Sequence, residues 1–161
     1  MKRIIFPALV SLVAAVSPAF AAESPFVWQV PEGWTLSVKE EMGFHTFSVG
    51  TGMGLMLLSK WPAATKPEDI AKTVKLMGEK FAKGAKAKDL FLKKDEPQLG
   101  EIKGELFQGN FALFELKEPD DMVQSSFMVH DGKGGVFNGQ FTGKATDWEK
   151  ALTLLKTAKA K

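Results

Sequence analysis

Gln124-Ser125-Ser126-Phe127-Met128-Val129-His130-Asp131-Gly132-Lys133-Gly134-Gly135-Val136-Phe137-Asn138-Gly139-Gln140-Phe141-Thr142 reads as two strands folded back on one another. The flanks, Gln124 to His130 and Gly135 to Thr142, carry the Val, Phe and Thr that suit a pleated, half-buried surface. Asp131-Gly132 between them has the chemistry of a tight turn or short loop. A connection this short permits only antiparallel pairing, because parallel neighbours need a crossover of roughly a dozen residues. Working towards the amino end, Phe44 to Val49 and Leu55 to Trp61 form a second hairpin across Gly50-Thr51-Gly52-Met53-Gly54. Before it, Phe26 to Val30 leads through the turn Pro31-Glu32-Gly33 into Trp34 to Val38, which alternates Trp34, Leu36 and Val38 on one face. Leu90 to Lys94, Glu101 to Phe107 and Phe111 to Lys117 are the remaining expected strands.

Two segments break the two-residue period. Thr65-Lys66-Pro67-Glu68 has the pattern of a capping box with proline in the first turn. Ile70, Val74, Met77 and Phe81 follow at helical spacing, with Lys72, Lys75, Glu79, Lys83 and Lys86 off that stripe, to an end near Gly84 or a little later. Thr146-Asp147-Trp148-Glu149 repeats the capping pattern and opens a closing helix with Trp148, Leu152 and Leu155 facing inward. The expectation is an α+β fold: an antiparallel β-sheet covered on one or both faces by two amphipathic helices.

The first 21 residues have the order of a secretory signal peptide. Lys2 and Arg3 precede a short apolar run from Ile4 to Val16, and Ser17-Pro18-Ala19-Phe20-Ala21 places small residues where a signal peptidase reads. Cleavage after Ala21 leaves residues 22–161 as a single domain, exported to the periplasm or beyond the cell. The run is too short and too interrupted to span a bilayer, so the mature chain is expected to lack a transmembrane segment.

Removing the leader changes the composition. The chain has 21 Lys and Arg against 19 Asp and Glu, and the excess is Lys2 and Arg3, so the mature domain is formally neutral. Neutrality removes the electrostatic argument for nucleic acid. Arg, Cys and Tyr are then all absent. Without Arg the two-pronged grip on carboxylate or phosphate is unavailable, and without Cys stability rests on packing of Phe and Trp.

The chemical motifs are few. The glycine-rich 50–54 segment runs into a strand, whereas phosphate loops run into a helix. Two histidines cannot build a three-imidazole metal site. Met42, His45, Met53 and Met56 flank one hairpin and would suit monovalent copper if they converged, against the plainer reading of core methionines. The serines lie in no nucleophile elbow, and Ser48 falls on the opposite strand face from His45. Neither a catalytic centre nor a cofactor is expected. Charge is segregated: residues 66–94 hold nine lysines against four acids, which makes Lys72, Lys75, Lys83 and Lys86 a candidate partner surface, with a solvated helix face as the alternative. Such a surface would also allow peripheral contact with an anionic membrane.

Pro31-Glu32-Gly33-Trp34 after the first apolar run, the helix opened by Pro67-Glu68-Asp69, the strand block and the closing Trp148 helix resemble the PsbP/Mog family. The resemblance spans Val27 to Lys159. It implies an α-β-α sandwich and a non-enzymatic role in binding or stabilising another protein, and it carries no site residue. The expectation is therefore a non-enzymatic periplasmic or secreted binding or accessory protein acting through a protein partner. The alternatives are a toxin-neutralising immunity protein, or a small carrier of an apolar ligand or copper.

Overall fold

A computed structural model describes residues 24–39, 43–49, 54–61, 65–87, 92–118 and 121–161. The leader expected at 1–21, together with Met42 and Met53, lies outside them. Seven strands form one sheet in the order β2-β3-β4-β8-β7-β6-β5, and every neighbouring pair is antiparallel. The strands are β2 (Trp34–Lys39), β3 (Phe44–Val49), β4 (Leu55–Lys60), β5 (Gln98–Lys103), β6 (Gln108–Glu115), β7 (Met122–His130) and β8 (Val136–Lys144). The opening stretch of sequence is the β7–β8 hairpin at the sheet's centre, paired from Met122↔Lys144 to His130↔Val136. Its turn is held by Asp131, whose Oδ1 accepts from the backbone amides of Lys133 and Gly135, both at 2.8 Å.

Helix α1 (Ile70–Ala87) and helix α2 (Ala145–Thr157) cover opposite faces. Consecutive residues of one strand show it. On β6, Phe111 packs in the α2 cluster with Trp148, whereas Ala112 packs with Ile70 and Val74 of α1; on β7, Phe127 and Met128 divide the same way. The α2 side is the larger core, with Trp148 ringed by Phe111, Phe127 and Phe141 at centroid distances of 5.2 to 6.4 Å. On the α1 side, β2 and β3 carry Thr35, Ser37, Thr46 and Ser48, none of which is buried, and no described helix stands over that part of the sheet. The fold class is thus α+β, with both faces covered by a helix. Among the described residues no helix is long and apolar enough to cross a membrane.

Several local expectations are corrected. Neither capping box forms: Lys66 and Lys144 occupy the N-cap positions, and neither makes a side-chain cap hydrogen bond. Pro67 starts a short 3-10 turn over Pro67–Asp69, which leaves Thr65 one residue too early. At the second helix β8 continues without a break into Ala145, so Thr146 falls inside the first turn. Leu92 makes only an isolated bridge to Leu116, and the 101–107 strand is shifted to Gln98–Lys103. The run at Phe26 is shortened to β1 (Phe26–Val27), which pairs with β9 (Lys159–Ala160), a terminal strand that the sequence reading missed.

Candidate functional site

His45 sits on β3 at a position that alternates with Thr46 and faces the α2 side, opposite Leu58 of β4. It is only 4% exposed, an unusual burial for a side chain that titrates near neutrality. The amino-terminal segment covers it. Ser24 Oγ lies 2.9 Å from His45 Nε2, and the same oxygen accepts from the Phe26 amide and from Trp28 Nε1, each at 3.0 Å.

This count of donors assigns the ring tautomer. A serine hydroxyl has two lone pairs and one proton. With both lone pairs occupied, the proton goes to Nε2, and neutral His45 carries its own proton on Nδ1. Nδ1 makes no hydrogen bond of good geometry among the described residues. Burial lowers the His45 pKa, and the backbone groups of Leu58 and Gly43 oppose it more weakly. Protonation would also turn Nε2 into a donor facing a hydroxyl that has no acceptor site left. His45 is therefore neutral at pH 7, and the Ser24 network depends on that neutrality.

Around this network opens a cleft of about 790 Å³. Its apolar wall is Phe26, Val38 and Phe137, with Phe26 set edge-on to Phe137 at 5.5 Å and tilted over His45 at the same distance. Its rim holds Lys60 at the end of β4, Lys133 in the β7–β8 turn, and Lys161 beyond β9, with Asp131 as the one side-chain carboxylate among the described lining residues. Neither Lys60 nor Lys133 has an ion-pair partner among the described residues. The cleft thus combines an apolar wall with a cationic rim, at a volume within the roughly 300–1,000 Å³ usual for small-molecule sites.

Sequence reasoning named His45 but not its surroundings. Ser24, twenty-one residues away, arrives through the β1–β9 pairing, and no local pattern announces that contact. The pair has the geometry of a serine with its base. A nucleophile, however, needs a free lone pair, and the Ser24 oxygen spends both on Phe26 and Trp28. The arrangement is that of a latch fastening the amino-terminal segment to the sheet.

Met56 of β4 is wholly buried, paired with Phe47 of β3, one step diagonal from His45 on the same sheet face. Met42 and Met53 lie outside the described residues. No group of three His, Cys, Asp or Glu side chains comes together among the described residues. Lys72, Lys75, Lys83 and Lys86 share the solvent face of α1 with Glu79 and Lys80, opposite the Val74 and Ala85 stripe; Lys86 reaches Asp95 at 2.6 Å. The glycine-rich turn at 131–135 offers no phosphate cradle, because Asp131 already occupies two of its amides.

No protein-family model and no curated protein sequence matches the chain. Two solved structures are similar in shape. One is a Bacteroides thetaiotaomicron VPI-5482 protein, 16% identical with a TM-score of 0.45, over 85% of this chain and 45% of that one. The chain therefore spans just under half of that protein's length. The other is LpqN of Mycobacterium tuberculosis, described as involved in cell envelope biogenesis, 12% identical with a TM-score of 0.47, over 83% of this chain and 82% of that one. At these TM-scores neither likeness bears on function.

Proposed function

We propose that this chain is an exported, non-enzymatic binding protein whose ligand site is the cleft beside His45. The observation that carries it is the convergence of residues 24–26, Lys161 and four strands of the sheet, β2, β3, β4 and β8, on one open, apolar-walled cavity. Its Ser–His pair supports binding rather than hydrolysis, since the serine oxygen is fully engaged. Native mass spectrometry of the protein purified from its exported fraction tests the reading. A substoichiometric to equimolar small-molecule adduct that is lost on filling the cleft with Val38→Trp is expected. An adduct-free protein that also shows no thermal shift with any small apolar compound would remove it, and the same spectrum reads copper directly.

A second reading is favoured by one separate observation, the lysine stripe of α1. Lys72, Lys75 and Lys83 make no ion pair with any described residue, so the face remains cationic in a domain of zero formal charge. Docking to an acidic protein partner, including a toxin to be neutralised, would use it. Replacing these three lysines by Gln would cost no more than about 1.5 kcal/mol of stability, about 0.5 per surface substitution, and abolish co-purification of such a partner; unchanged co-purification would exclude the stripe.

A further inference from the structure

We infer that the His45 cleft takes an amphipathic carboxylate, a single negative headgroup on a hydrocarbon or aromatic body. The inference rests on the cleft being a ligand site and goes further by assigning the ligand's charge and shape. Three features set the class. The wall of Phe26, Val38 and Phe137 offers contact only to an apolar body, which loses water-exposed area on entry. The rim supplies Lys60 and Lys133, two ammonium groups without ion-pair partners among the described residues, against one side-chain carboxylate, Asp131, among the described lining residues. The Asp131 carboxylate is committed through Oδ1 to two backbone amides of its own turn.

Alternative ligands fit less well. A cation would meet the Lys60 and Lys133 ammonium groups. A bare phosphate or sulfate would find no guanidinium in the mature chain and no unoccupied nest of turn amides, and it would leave the aromatic wall wet. A neutral apolar molecule would satisfy the wall but leave the two ammonium groups unused. His45 contributes a neutral ring edge beneath Phe26, and its lowered pKa keeps it from adding a competing site for the anion at neutral pH.

The test uses two fluorescent probes with one skeleton, 1-anilinonaphthalene-8-sulfonate and the uncharged N-phenyl-1-naphthylamine, titrated into the purified mature chain. Saturable binding of the sulfonate at one site, at least about tenfold tighter than the neutral probe, is expected from a charge-assisted contact. Lys60→Glu with Lys133→Glu should weaken the sulfonate by about tenfold or more and leave the neutral probe unchanged. Both lysines are exposed, and an unaltered near-ultraviolet circular dichroism spectrum would show that the variant is folded. Displacement by monomeric dodecanoate is the expected sign of a single-chain acid, whereas displacement by phosphatidylglycerol vesicles alone would overturn the inference in favour of a membrane surface. Equal affinity for both probes, or indifference to the double charge reversal, would overturn the anionic class while leaving a ligand cleft in place. Binding of neither probe nor of dodecanoate would remove both.

Discussion

His45 shows how one side chain couples several levels of this fold. Its burial and the saturated Ser24 hydroxyl both favour the neutral ring. A histidine whose folded pKa lies below the unfolded value of about 6.5 binds more protons when unfolded. Stability from this group is therefore complete above that value and is lost as pH falls through 6.5 towards the folded pKa. Thermal melts between pH 7.5 and 5 should show the midpoint falling on acidification, and His45→Gln should flatten that part of the profile; an unchanged slope would show that other groups set it. Gly139 is a second residue under tight constraint. A Cβ there would lie 2.1 Å from both the Leu57 carbonyl oxygen and the Phe127 ring. Gly139→Ala should destabilise by about 3 kcal/mol through overpacking, read by urea denaturation. At Gly33 the requirement is conformational instead: its φ of 78° is the left-handed value that a hydrogen-bonded turn from Pro31 to Trp34 demands at its third position.

At the scale of elements, legibility followed the range of the forces involved. The two hairpins and the helix stripes were readable because alternation and 3.6-residue spacing are local signatures of burial, and Val74, Trp148, Leu152 and Leu155 are buried as expected. Helix starts were misread because a Thr-x-x-Glu pattern states what a cap could do, while the continuous β8–α2 chain decides where the helix begins. The β1–β9 pair was illegible, since two-residue strands have no periodicity and gain their meaning only from a partner at the other end of the sequence. The same reason hid the cleft: Ser24, His45, Lys60, Asp131 and Lys161 share no spacing. Because β9 supports the segment carrying Ser24, deleting residues 159–161 should expose Trp28. A red shift of its fluorescence with a lower melting midpoint is expected, and unchanged emission would mean that Ser24 and the aromatic wall hold the segment unaided.

At the scale of the whole molecule, β6, β7 and β8 share their residues between the cores on the two faces, and the two helices seal those cores from opposite sides. Trp148 is buried in the same cluster as Phe47 of β3 and Ile102 of β5, which links the two halves of the sheet. Such continuity predicts one cooperative unfolding transition, with near- and far-ultraviolet circular dichroism coinciding in urea; separated transitions would divide the chain into two folding units. The pairing of residues so distant in sequence has a further consequence in time. Phe26 pairs with Ala160, and the Lys161 amide donates to the Pro25 carbonyl, so both segments contribute to the cleft wall and rim. A chain synthesised only as far as the sheet holds Phe26 and His45 before Ala160 and Lys161 exist, so the cleft closes only after residues 159–161 have joined it. Under the proposed function, ligand capture would wait for that pairing, and a molecule that binds would be one in which β1 and β9 have met.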